Sequence, residues 1–390
     1  MNTYLFITKD AVCTDYLPLY GNKRFKTPNI DELARKGTVF LNHYTCAPST
    51  VMSFWGMITG ELAHDTDFQL YEKKRAKFHG DTIFTKIQNA GLEPHLIWDD
   101  EWDILLEYED IFNDVKLHSI KDLKQAVGSH FIHEGFLENN DAKIDKALAV
   151  TEQKLKYILA KNNDSFIWLH LPHVISGKTG YGTDIEVFDR FVEMARKYVS
   201  DDCIAISSDH GNMNGHKGKI CYGHDVYNPA IRIPLITPRI NDIAEYTDNT
   251  SNIDLFDILF EGKIPKHEFV YSDTAYRAQK NRKLAIMYGK YKYIYNKKTK
   301  TEELYDLEFD PDENFSIMHD YVFDIDRKIN APSRELYYYD EWDKLADIRL
   351  KLRAEKDRIW RNGDFSVVLK SNIKDILRPA YLMLSRRHID

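Results

Sequence analysis

Apolar and polar residues follow one another along this chain in two rhythms, one suited to strands and the other to helices. Near the start, "TYLFIT" gives way to the polar stretch "KDAVCTD", which predicts a short buried strand ending in a loop. "TPNIDELARKG" carries Ile30, Leu33 and Ala34 on one helical face. Thr27 in the N-cap place, Pro28 at the first helical position, early acids, late bases and Gly37 as the stop complete a helix signature. "TVFLNHY" predicts a second strand, and Thr50 to Thr59 a helix opening just past Pro48. "DTIFTKIQNAGLEPHLIW" reads as helix, glycine stop and strand, the unit of a layered sheet. Asp141 to Lys161 is a long helical segment, "SFIWLHLPH" a strand ending in histidines, "DIEVFDRFVEMARKYV" an amphipathic helix, and "DDCIAISSDHGN" a strand with a polar tip. Apolar strand, polar tip and covering helix recur in that order, which predicts an α/β fold. In open sheets of this kind functional groups collect at the carboxyl ends of the strands.

The pattern changes after about Gly262. "FVYSDTAYR" and "KLAIMYGKYKYIYNKKTKTEELYDL" alternate Tyr, Lys and apolar residues around turn signals, which predicts antiparallel strands in a smaller sheet. From Tyr337 onward a helix is expected, followed by the basic, partly apolar tail "SNIKDILRPAYLMLSRRHID". Glu341 to Asp390 holds 12 Lys and Arg against 8 Asp and Glu. That excess suits peripheral contact with an anionic membrane face, although a helix packed on the main body reads more readily from the same pattern.

Composition narrows the partners. The 390 residues are 43% hydrophobic and 29% charged, with 24 Tyr and 20 Phe, the profile of a folded globular chain. A net charge of −8 supplies no basic field for phosphate backbones, so nucleic acid is not an expected partner. Cys13, Cys46, Cys203 and Cys221 lack paired spacing, pointing to reduced thiols and a cytoplasmic location. No apolar run approaches the ~18 residues of a membrane span, so no transmembrane segment is expected. Oligomeric state is left open.

Three polar tips form one chemical set: Asp10, Thr50 and the pair Asp209-His210. Two carboxylates, an imidazole and a hydroxyl suit a divalent metal that binds the hydroxyl and lowers its pKa. Each fragment alone would pass for a cap or turn residue. "YTCAPSTVMSFWGMITG" offers Cys46, Ser49, Thr50 and Ser53 as nucleophiles, and the local pattern does not choose among them.

Taken in order, "FITKDAVCTDYLPLYG", "TPNIDELARKGTVFLNHYTCAPSTVMSFWGMITG", "SFIWLHLPH", "AISSDHGNMNGHKG", "YGHDVYNPAIRIPLI" and "GKYKYIYNKKTKTEELYDLEFDPDEN" resemble the sulfatase and alkaline-phosphatase superfamily, in particular its sulfatase-like phosphodiesterase and phosphotransferase members. The resemblance covers roughly residues 1 to 318, with Asp99 to Ala160 unmatched. It implies a three-layer sandwich around a large mostly parallel sheet (1–262), a small C-terminal antiparallel subdomain (263–320) and a helical tail (321–390). "CAPST" imitates the C-x-P-S/A-R site at which sulfatases oxidise cysteine to formylglycine, but Thr stands where that motif needs Arg. Phe40, Tyr44, Pro48 and Thr59-Gly60 set a register that implies Thr50 as nucleophile, with Ser49 and Ser53 as alternates for capping or phosphate contact. The implied metal ligands are Asp10, Thr50, Asp209 and His210, for one ion because Ala11 stands where sulfatases have a second Asp, and for Mn or Zn in preference to Ca or Mg because His210 stands where sulfatases usually have Asn.

His224 is implied as the group assisting the leaving oxygen; His173, His216 and Ser53 are implied substrate contacts. His170 is expected inside its strand, Arg232 in a structural pairing, and Lys178 as a possible anion holder. Acidic "HLIWDDEWDIL" stands where sulfatases have a basic sulfate-gripping segment, making Trp98, Asp99, Asp100 and Trp102 candidates for a pocket that takes a cationic or polyol group. The resemblance therefore implies a phosphodiesterase or phosphotransferase that forms a phosphothreonine and acts on a phosphodiester or phospho-alcohol, small or on a glycan precursor. An arylsulfatase and an inactive, binding family member are the alternatives.

Overall fold

The computed structural model describes residues 3–62, 64–65, 78–98, 111–119, 141–171, 180–274, 282–318 and 344–360. In chain order the strands are β1 (Thr3–Lys9), β2 (Thr38–Phe40), β3 (His43–Tyr44), β4 (Glu93–Trp98), β5 (Lys116–Ser119), β6 (Ser165–Leu171), β7 (Ile204–Ser208), β8 (Leu235–Thr237), β9 (Glu245–Tyr246), β10 (Thr250–Ser251), β11 (Val270–Asp273), β12 (Lys283–Tyr288), β13 (Tyr291–Asn296) and β14 (Thr301–Asp306). The helices are α1 (Pro28–Lys36), α2 (Thr50–Thr59), α3 (Ile83–Asn89), α4 (Asp141–Leu159), α5 (Gly180–Arg196), α6 (Asn228–Ile231), α7 (Leu255–Leu259) and α8 over 344–360. No helix among the described residues is long and apolar enough to cross a membrane.

Eight strands form the large sheet in the order β5-β4-β6-β1-β7-β8-β2-β9. It is parallel except where β8 runs against β7 and β2. Because strand side chains alternate between faces, each apolar strand feeds two cores. Leu5, Ile7, Ile167, Leu169, Ile204 and Ile206 point to the face covered by α1, α4 and α5. Phe6, Phe166, Trp168, Ala205, Leu96 and Trp98 point to the face covered by α2, α3 and α7. That is why these strands read as unbroken apolar runs. Residues Thr50 to Ile58 of α2 are all buried, so this helix is enclosed rather than amphipathic.

β11 to β14 form an antiparallel meander that alternates in the same way. Ala285, Met287, Ile294 and Tyr305 pack on Tyr44, Val226, Tyr227 and Ile231 of the main body. Leu284, Ile286, Tyr293 and Leu304 pack on Leu345, Leu352 and Ile359 of α8.

Two elements depart from expectation. "TVFLNHY" is two strands: β2 joins the large sheet, while β3 pairs with β10. Between them Leu41 N–H bonds the Tyr246 carbonyl and Asn42 donates its amide to Thr247, which turns the chain. Thr27 does occupy the N-cap of α1, but its hydroxyl bonds Asp31. The free N–H groups of Asn29 and Ile30 instead bond Asp189 of α5, at 2.9 and 2.8 Å.

Candidate metal and catalytic site

β6, β1 and β7 lie side by side, with Lys9 in register with both Leu171 and Ser208. The residues just beyond therefore leave the sheet at one edge. Asp10 N–H donates to the Leu171 carbonyl at 2.9 Å. Ala11 then takes a left-handed φ of 62°, a conformation that costs a side-chain-bearing residue roughly 1–2 kcal/mol. The turn aims Ala11 N–H at Asp209 Oδ1, 3.1 Å away, and Val12 N–H at Ser208 Oγ, 2.9 Å away. Ser208 Oγ also reaches the carbonyls of Lys9 and His210, each at 2.7 Å, so one hydroxyl ties the tips of β1 and β7 together. Behind them, Lys9 and Asp184 of α5 form a buried ion pair at 2.6 Å.

α2 brings in the hydroxyl. Ser49 is its extended N-cap and Thr50 its first residue. Thr50 Oγ1 lies 3.1 Å from His210 Nε2. That nitrogen is also 3.5 Å from Asp10 Oδ1 and 3.5 Å from Asp209 Oδ2. His210 Nδ1 donates to the Gly211 carbonyl at 2.8 Å, and because a carbonyl only accepts, a neutral ring carries its proton there and presents a lone pair at Nε2. Asp209 Oδ1 receives the N–H groups of Ala11 and His210, whereas Oδ2 is buried with no hydrogen-bond partner among the described residues. Asp10, Thr50, Asp209 and His210 are all buried.

Two carboxylates facing a nitrogen lone pair in a dry site are costly unless a cation lies among them. The ligand atoms of Asp10, Asp209 and His210 lie within 4.8 Å of one another, close enough to share one ion. The residues fit a divalent ion.

The other expected positions separate. Ser53 donates its hydroxyl to the Asp209 carbonyl at 2.6 Å and accepts from Asn252 Nδ2 at 2.9 Å. It ties α2 to the Asp209 turn. Cys46 is buried under α2, its thiol bonded to the Met52 carbonyl and its pKa pushed up to about 12 by burial. His224 is exposed in the loop after Tyr222, whose ring lies 4.2 Å from that of His210. His216 packs 5.9 Å from the Tyr227 ring, its pKa lowered by burial and by Lys217, and is not part of the buried cluster. Trp98 is no pocket residue but a core one, between Phe54 and Phe112. Arg232 donates to the Leu41 carbonyl. His170 bonds Thr8, and burial lowers its pKa to about 3. His173, Lys178, Asp99, Asp100 and Trp102 lie outside the described residues.

Sequence reasoning missed Asn252, Ser208 and the Lys9–Asp184 pair. Ser208 adjoins "DHG" and carried a local signal; Asn252 and Asp184 lie far along the chain and carried none.

A large mostly parallel sheet with carboxylate and imidazole side chains at its carboxyl edge and a small antiparallel sheet packed alongside give this chain the fold of solved sulfatases and phosphonate monoester hydrolases. The Sulfatase family model matches residues 2–174, and members of that family are hydrolases.

Among curated relatives, the sulfatase YidJ of Escherichia coli is 35% identical over 63 residues, 16% of this chain and 13% of its own. An arylsulfatase of Clostridium perfringens is 26% identical over 156 residues, 40% of this chain and 29% of its own. The matches thus span under a third of either relative. Among solved structures, the phosphonate monoester hydrolase of Agrobacterium radiobacter superposes with a TM-score of 0.62 at 15% identity, covering 93% of this chain and 96% of that one. A 2-O GAG sulfatase gives 0.65 at 18% identity, covering 93% of each. At such identities the likeness is one of fold.

Proposed function

We propose that this chain is a phosphodiesterase or phosphotransferase that uses Thr50 as its nucleophile and one Mn or Zn ion held by Asp10, Thr50, Asp209 and His210. The observation that carries the reading is the 3.1 Å approach of Thr50 Oγ1 to His210 Nε2 inside the buried carboxylate cluster. The ion supplies positive charge that favours the ionised hydroxyl and polarises the ester.

Thr50 loses its hydroxyl proton to water, its Oγ1–P bond forms and the P–O bond to the departing alcohol breaks. His224, exposed beside Tyr222, returns a proton to that alcohol. Free N–H groups at the start of α2 face the phosphoryl oxygens. Water or an acceptor alcohol then takes the phosphoryl group from Thr50 and restores the hydroxyl. A phospho-alcohol carried to or from a glycan precursor is a substrate of the right class.

Sulfate-ester hydrolysis is the second reading, favoured by the sulfatase family match. Threonine at the site weighs toward phosphorus, because formylglycine chemistry needs an oxidised cysteine there and Cys46 is turned into the core.

The test is a substrate panel of bis(4-nitrophenyl) phosphate, 4-nitrophenyl phosphate and 4-nitrophenyl sulfate, with Mn²⁺ or Zn²⁺, on wild type and Thr50→Ala. Diester turnover in wild type and its loss by about 10³-fold or more in the variant is expected. Sulfate turnover surviving in Thr50→Ala would overturn the assignment.

A further inference from the structure

Two lysines from different elements meet on one carboxylate oxygen. Lys219 Nζ, in the loop after β7, lies 2.8 Å from Asp225 Oδ1, and Lys283 Nζ, at the start of β12, bonds the same oxygen. The Asp225 and Lys283 side chains are 9% and 10% exposed, whereas Lys219 is 36% exposed and within reach of solvent.

Further charged groups surround the pair. Lys217 and Lys219 both lie over the Tyr227 ring, at 4.9 and 4.8 Å. Tyr227 donates to Glu303 at 2.8 Å, and Lys292 pairs with Glu313 at 2.7 Å. Asp15 and Asp312 add negative charge further out, beside His216, while Asp225 alone is shared by Lys219 and Lys283. Burial lowers the pKa of Lys283, and its neighbour Lys219 adds to the effect, so its charge is held at a cost that an anion alongside would relieve.

A short loop joins the pair to the reaction centre. Lys219 and Asp225 each stand three residues from Tyr222, a backbone reach of about 10 Å, and the Tyr222 ring lies 4.2 Å from that of His210. The loop that carries them is tightly folded: Lys217, Gly218, Cys221 and Gly223 all have left-handed φ, and Met213 N–H bonds the Cys221 carbonyl.

We propose that Lys219 and Lys283, sharing Asp225, form a subsite for a second oxyanion of the substrate, carried on the same molecule as the ester that Thr50 attacks. The inference rests on the ester-cleaving reading above and narrows its substrate to anionic esters, such as those of acidic sugars or hydroxy acids.

A matched pair of probes tests it: the 4-nitrophenyl phosphodiesters of 3-hydroxybenzoate and of methyl 3-hydroxybenzoate, which differ by one carboxylate. Wild type is expected to favour the carboxylate in kcat/KM by tenfold or more. Lys283→Met and the more exposed Lys219→Met should each bring that ratio close to one, and Lys219→Arg should restore part of it. A ratio that stays the same in both Met variants, or a wild type that does not favour the carboxylate, overturns the subsite. Calorimetric titration of Thr50→Ala with 3-carboxyphenyl phosphate and its methyl ester separates this outcome from failure of the reaction class. A tenfold binding preference that disappears with Lys219→Met keeps the subsite even if no diester is cleaved.

Discussion

At the residue scale, "YTCAPSTVMSFWGMITG" offered several nucleophiles and its local pattern could not rank them. Position in space separates them: Thr50 Oγ1 lies 3.1 Å from His210 Nε2, Ser53 donates to the Asp209 carbonyl, and Cys46 is under α2. A buried thiol with its pKa pushed up to about 12 forms almost no thiolate at pH 8. In the folded protein, iodoacetamide should therefore modify exposed Cys221 within minutes and spare Cys46 until denaturant is added, as peptide mass mapping would report. Prompt labelling of Cys46 would contradict the packing. Gly211 makes a second point. A Cβ there would sit 2.0 Å from the Pro229 carbonyl oxygen, so Gly211→Ala must displace the turn that carries His210. It should cost about 1–3 kcal/mol in urea unfolding and weaken metal binding at equilibrium dialysis.

At the element scale, the strands were legible because both faces of β1, β6 and β7 are covered, so burial wrote itself into the sequence as continuous apolar runs. Helix α2 was legible through its start after Pro48 and its Gly60 stop, where φ is 76°. The cap of α1 was not. Thr27 has the right identity and position, yet the work falls to Asp189, about 160 residues away, and no local rule sees such a partner. Asp189→Ala should lower stability by about 1–2 kcal/mol in urea unfolding, the usual range for a lost N-cap. Asp189→Asn keeps an acceptor oxygen and should cost less. Equal stability for Asp189→Ala and wild type would mean that the contact contributes nothing.

At the scale of the whole molecule, buried ionisable groups set the response to acid and to metal. Burial lowers the pKa of His43 and of His170 to about 3, while in the unfolded chain each titrates near 6.5. Unfolding then takes up protons below pH 6.5, and stability falls as pH drops from there toward 3. At about 1.4 kcal/mol per pH unit for each group, the pair lowers stability by roughly 3 kcal/mol per unit in the middle of that window. Urea unfolding at pH 7 and 5 measures the slope, and His43→Asn should remove about half of this part of it. An ion that binds the folded site alone also stabilises by mass action. Chelation should therefore lower the melting temperature of wild type, and adding Mn²⁺ or Zn²⁺ back should restore it. Asp209→Asn, which weakens the cluster, should respond less to either treatment.

By itself the sequence determined the α/β class, the small antiparallel sheet, the residues offered at the strand tips and the superfamily they resemble, because those features depend on neighbours within one element or on motifs in fixed order. Only the tertiary structure decided that Asp10, Asp209 and His210 share one buried cluster with Thr50 against His210, that Ser53 ties α2 to the Asp209 carbonyl, that Trp98 lies in the core, and that Lys219 and Lys283 meet on Asp225. Register between β6, β1 and β7, and the seating of β12 against the main body, bring together residues separated by tens to hundreds of positions. Local propensity does not encode such distances; they follow from how the faces of the sheet are buried.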